Sequence, residues 1–199
     1  MAISLFFVAC HSKNENIQAD KSNDLVSKPT QETVSYKAVD NVPKTQSTNL
    51  VEFSYDNNEL LSRTDFECKV FVYEGTLVVQ FLKDKEEINI SFGGINIYKE
   101  KPYSGNFTLA PQENENTALM SIYVNDTLSG KQIKAPMCFD GKASIISFKE
   151  KEIRIEINAL GGFFSDMENI AGWKPINGML VAQNPVFSEM NNDIRKLFY

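Results

Sequence analysis

The residues with most chemistry to offer cluster late in the chain. Gly161-Gly162-Phe163-Phe164-Ser165-Asp166, continuing to Ala171-Gly172-Trp173-Lys174-Pro175, gathers glycines, two phenylalanines and the single tryptophan into one connection. Long structured connections are where binding function concentrates. Flat faces at Phe163, Phe164 and Trp173 can stack on a sugar ring while Asp166, Asn169 and Asn177 bond its hydroxyls. The competing reading has the same aromatics plugging the open end of a β domain, with Met167 and Ile170 in a short helical turn. Phe163, Phe164, Asp166 and Trp173 are thus the ligand-binding candidates.

Other site chemistries find less support. The one histidine, His11, stands beside the first cysteine, so the rest of the chain has none for Ser-His-Asp or Cys-His catalysis or for a His-ligated zinc. There is no phosphate-cradling G-x-x-x-x-G-K-[ST], no G-x-G-x-x-G, no C-x-x-C and no EF-hand loop. Glu113, Glu115 and Asp126 are loop acids without the run of oxygen ligands calcium requires. A pair of acids converging as in a glycosidase stays open as a second reading, though nothing in the sequence singles out the two. No catalytic residue, metal or cofactor is assigned. Residues 11–49 carry five lysines and five acids, so the whole net charge of −6 falls on residues 50–199. The three arginines, Arg63, Arg154 and Arg195, form no basic run, which excludes nucleic acid held through its phosphates.

The elements that position these residues read as strands. Phe66, Cys68, Val70 and Val72 alternate with Glu67, Lys69, Phe71 and Tyr73; Glu74-Gly75 turns into Leu77, Val79 and Phe81. The charged turn Lys83–Glu86 returns the chain through Ile88, Ile90 and Phe92. This period of two predicts a half-buried antiparallel meander. Short strands follow at Phe107–Leu109 and Leu119–Val124. Asp140-Gly141 predicts a hairpin joining 135–139 to 143–148, since a type I′ turn needs positive φ at both central residues. Lys149–Glu152 turns into Ile153, Ile155 and Ile157, with Arg154, Glu156 and Asn158 facing out, and Met179–Ala182 is a later strand. Ser188 is placed as the N-cap of a short helix to Tyr199. About eight to ten strands with no βαβ alternation predict an all-β fold, an antiparallel β-sandwich or small barrel over residues 50–199. Cys68 and Cys138 are the candidate disulfide, the alternative being two ordinary thiols. With Met137 and Phe139 inward, Cys138 would face out while Cys68 faces in, against a bridge.

The N-terminus reads as an address. Residues 3–9 form an apolar run of seven that stops at Cys10, too short to span a bilayer, which takes about 20 residues. Phe7-Val8-Ala9-Cys10 resembles a bacterial lipobox, with Phe7 where leucine is usual and no basic residue before the run. By that resemblance residues 1–9 are a lipoprotein signal peptide, shortened at its start, and Cys10 is the lipidated residue. His11 in place of an aspartate then implies the outer membrane, and Cys10–Glu15 is similar to the export signal of surface lipoproteins in the Bacteroidota. The whole chain resembles β-rich envelope lipoproteins of that group. Residues 10–49 are polar and aperiodic, reading as a disordered tether of roughly 35 Å root-mean-square span.

The expectation is a lipid-anchored envelope protein of the outer membrane, facing the periplasm or the cell surface. Its membrane contact is the lipid, and its partner a glycan or an envelope protein. The β domain acts as a binding or accessory module. The alternatives are a carboxylate-dependent glycan hydrolase and a purely structural surface lipoprotein.

Overall fold

The computed structural model describes residues 49–189 and 194–199. The expected signal peptide, Cys10 and all but the last residue of the tether lie outside them. Among the described residues eleven strands alternate with turns, and the helical content is three short 3₁₀ turns, so the fold is all-β as expected. The strands are β1 (Leu50–Tyr55), β2 (Asn58–Arg63), β3 (Glu67–Tyr73), β4 (Thr76–Lys83), β5 (Glu86–Gly93) and β6 (Ser104–Thr108). There follow β7 (Thr117–Tyr123), β8 (Met137–Lys149), β9 (Glu152–Gly162), β10 (Lys174–Gln183) and β11 (Val186–Glu189).

All eleven belong to one sheet, in the order β11-β3-β4-β5-β7-β6-β8-β9-β10-β1-β2. The expected meander is β3-β4-β5, and its inward residues Phe66, Cys68, Val70, Leu77, Val79, Ile88 and Ile90 are buried as the alternation requires. The sheet is mixed rather than purely antiparallel, because β11 runs parallel to β3 and β6 meets β7 through the parallel pair Asn106–Thr117. That joint is tight: a β-carbon on Gly105 would overlap the Thr117 carbonyl, so only glycine lets the two backbones approach.

Two layers arise because this one sheet folds over on itself. Phe148 of β8 meets Phe187 of β11 with ring centroids 6.0 Å apart, although six strand positions separate them. Inward side chains from β1 to β10 share one continuous core. The edges β11 and β2 do not pair with each other, so the sandwich alternative holds in this folded form and the barrel is excluded. The edge β2 is fixed instead by charge. Arg63, with only 9% of its side chain exposed, reaches Glu86 of β5 at 2.9 Å and Asp65 at 2.9 Å, and its guanidinium lies 4.6 Å over the Phe66 ring. Glu86 also accepts the Asn125 N–H.

Three local expectations are corrected. Asp140-Gly141 is no hairpin: β8 runs through it as one strand of 13 residues, paired with β9 throughout. Gly141 has φ +116 beside a bulge, and a β-carbon there would sit 2.5 Å from the Ala159 Cα. A bulge and a tight turn both need positive φ, and the approach of β9 selects the bulge. That same bulge reverses the faces around it. Met137 is exposed, Cys138 packs against the core, and Phe139 is buried apart from the core against Trp173. Cys68 and Cys138 are free thiols rather than a bridge, and burial pushes each up to about 12. Near the end, Ser188 lies within β11 instead of capping a helix, and the only helical piece there among the described residues is a 3₁₀ turn, Ile194–Leu197. Asn49 belongs to the domain: its buried side chain donates to the Phe66 carbonyl at 2.7 Å and accepts from the Gln183 N–H at 2.6 Å.

Candidate functional site

The connection between β9 and β10 contains two 3₁₀ turns, Phe164–Asp166 and Ile170–Gly172, where one short helical turn was expected. Asp166 organises it. One carboxylate oxygen accepts the Phe163 N–H at 2.8 Å, the other accepts the Ser165 hydroxyl at 3.2 Å, and the Asp166 carbonyl accepts the Trp173 indole N–H at 3.0 Å. Trp173 is half-buried, its ring 5.2 Å from that of Phe139. Phe163 meets Tyr55 edge-on at 5.7 Å and carries the Lys134 ammonium 4.4 Å above its ring. Burial, with Asp166 and Asp56 nearby, pushes the Tyr55 phenol up. Phe164, 76% exposed, and Ile170, 70% exposed, project from the loop. The four candidates are therefore close in the chain but differently employed. Asp166, Phe163 and Trp173 hold the loop together, and Phe164 alone presents a free ring.

A second site follows from the sheet itself. Successive side chains of a strand point to opposite faces, and paired strands keep the faces in register. Across β8, β9, β10, β1 and β2 the register places Ser144, Glu156, Met179, Glu52 and Ser62 in one outward row. A second row, Lys142, Asn158, Asn177, Ser54 and Glu59, lies two residues further along β8, β9, β10 and β1 and three along β2, where a bulge opposite Phe53 and Ser54 takes up Leu60. Between them Ala143, Ile157, Phe53 and Leu61 point into the core. The rows line a depression of about 450 Å³ over β9, β10, β1 and β2. A neighbouring one of about 340 Å³ continues it onto β8, sharing Glu156 and Asn158.

This trough has apolar shoulders. Leu160 and Pro175, paired with each other, flank the second row, and Val181 with Leu50 lies beyond the first, next to Arg154. Met179 stands half-buried in the first row between Glu156 and Glu52, and Gly178 leaves the backbone of β10 uncovered between the rows. Three carboxylates and one ammonium give it a negative balance. Among the described residues no group of His, Cys, Asp and Glu is arranged to hold a metal ion. Such a surface can hydrogen-bond a polar ligand and pack a small apolar face against Met179.

Of the residues singled out in the sequence, Glu156 and Asn158 face outward as expected and Asn177 stands beside Asn158, away from the aromatic loop. Glu52, Ser54, Glu59 and Ser62 were missed with the strands that carry them. A signal for those strands exists: Asp56 and Asn57, both at positive φ (51 and 62), make the two-residue turn from β1 to β2. No protein-family model, curated protein or solved structure matches the chain.

Proposed function

We propose that the chain is a lipid-anchored cell-envelope protein of the outer membrane whose β domain is a binding module, taking its ligand in the trough across β8, β9, β10, β1 and β2. The observation that carries the binding role is the pair of outward polar rows in register over five strands, bordered by apolar shoulders. The anchor rests on the apolar run ending at Phe7-Val8-Ala9-Cys10 and the polar segment after it. An acylated Cys10 carrying more than one chain holds stably, where a single chain is marginal. The Asp166-braced loop stands at one end of the trough-bearing strands, and Phe164 is the member of the aromatic set free to add contact there.

Two experiments test the two halves of the proposal. Cys10→Ala is expected to abolish labelling by a tagged fatty acid and to release the protein from the membrane fraction; retention there contradicts the anchor. A photo-crosslinker at Asn177 is expected to give envelope adducts that the same group at Gln80, outward on β4, does not. Equal yields at the two positions would contradict the trough.

Glycan hydrolysis is a second reading with one observation behind it. Glu52 and Glu156 stand in the same row with only Met179 between them, a Cα separation of about 10 Å from the strand spacing. Both lie on an open, water-exposed face, whereas such enzymes keep one carboxylic acid in a dry pocket. Release of reducing sugar from envelope glycan, lost in Glu52→Gln and Glu156→Gln, would establish this reading over binding.

A further inference from the structure

We infer that the ligand of the trough is a neutral glycan chain lying across the strands, several sugar rings long; this rests on the binding role proposed above and specifies its ligand. The argument begins with dimensions. Paired strands lie about 4.8 Å apart, so five strands give a track about 19 Å long. Two residues along a strand are about 6.7 Å, which sets the distance between the rows on β8, β9, β10 and β1; on β2 a bulge makes that step three residues. The track is therefore about one ring wide and several rings long, and a ligand filling it runs perpendicular to the strands.

The lining then selects the chemistry. Asn158 and Asn177 are directly paired on β9 and β10, bringing two carboxamides side by side at the centre of the second row. Each offers both donors and an acceptor, which suits hydroxyl groups that also donate and accept. Ser54, Ser62 and Ser144 repeat that dual character along the track. A sugar ring has polar edges and apolar C–H faces. Met179 in the first row and the Leu160–Pro175 shoulder beside the second supply apolar contact for those faces. Charge removes the alternatives carrying carboxylate, sulfate or phosphate. Glu52, Glu59 and Glu156 face one lysine, Lys142, at the far end, and an anionic chain would meet like charge along most of its length.

An open trough buries little of each ring, so affinity must accumulate along the chain. The test measures binding of the full chain, in detergent, to cellohexaose, maltohexaose and N-acetylchitohexaose, to the corresponding disaccharides, and to an oligogalacturonate of six units. At least one neutral hexasaccharide is expected to bind at least ten-fold more tightly than its disaccharide and than the oligogalacturonate. The double variant Asn158→Ala/Asn177→Ala is expected to weaken it at least ten-fold with an unchanged melting temperature, both side chains being exposed. Failure of all three neutral hexasaccharides to bind, equal or tighter binding of the oligogalacturonate, equal affinity for hexamer and dimer, or indifference to the double variant each overturns the inference. Crosslinking at Asn177 separates this from the reading beneath it. A protein adduct there, with no neutral glycan bound, leaves a binding module whose ligand is not a glycan, whereas silence in both assays removes module and glycan together.

Discussion

Arg63→Met is the perturbation whose cost can be worked most fully from the structure. The guanidinium joins the edge strand β2 to Glu86 and Asp65, each at 2.9 Å, with 9% of the Arg63 side chain and 12% of the Glu86 side chain exposed. Removing one partner of a buried pair costs about 3–5 kcal/mol, because the other charge stays buried. Two features reduce that here. Asp65 is 43% exposed and keeps Lys83, and Glu86 keeps the Asn125 N–H. Methionine also preserves a contact with the Phe66 ring. The expected loss is therefore about 2–3 kcal/mol at pH 7. Adding Glu86→Gln, which keeps an acceptor for Asn125, should return about 1–2 kcal/mol of it, since no buried charge is then left alone.

The same contacts predict an acid dependence. The hydrogen bond from Arg63, followed by that from Lys83, holds the Asp65 carboxyl down to about 2, and Arg63 first among its partners lowers Glu86. Carboxylates lowered in the folded state contribute stability that is complete above their ordinary range and is lost as pH falls toward the folded values. The gap between wild type and Arg63→Met should accordingly narrow as pH falls from about 5 to about 2. Urea unfolding of the full chain, followed by the fluorescence of Trp173, measures both quantities. A loss under about 0.5 kcal/mol at pH 7, or a gap that does not narrow in acid, refutes the claim that Arg63 fastens β2.

Gly141→Val should lower the melting temperature by roughly 5–10 °C, since φ +116 and a β-carbon 2.5 Å from the Ala159 Cα and the Asn158 carbonyl oxygen both oppose it; an unchanged temperature contradicts the bulge. Asp166→Ala should cost about 1–2 kcal/mol and red-shift Trp173 emission as the loop loses its brace, checked by fluorescence under native conditions. Cys68 and Cys138, each pushed up to about 12 by burial, should resist iodoacetamide at pH 8 in the folded protein and react on unfolding, which peptide mapping would show.

What could be read from the sequence divides along physical lines. β3, β4, β5 and β9 were legible because alternation over six or more residues leaves one face to bury, and their isoleucines, valines and phenylalanines are buried accordingly. β8 was not, because positive φ at Gly141 serves a turn and a bulge equally, and only the neighbouring β9 backbone decides between them. β11 pairs in parallel with a strand more than a hundred residues earlier in the chain, which no local pattern encodes. The aromatic loop was legible in composition, but its division into bracing residues and a projecting Phe164 depends on hydrogen bonds from Asp166. The trough was half visible. Glu156 and Asn158 could be placed outward, yet the row they belong to exists only once β10, β1 and β2 are known to lie beside β9.

The most direct test of the central claim is to record the side-chain amide and indole resonances of the full chain as solubilised envelope material is added. Shifts concentrated on the carboxamides of Asn158 and Asn177, with Gln80 and Asn89 on the opposite half of the sheet unmoved, are the predicted result. Shifts centred on Trp173 with Asn158 and Asn177 unmoved, or no shifts at any of them, would contradict it.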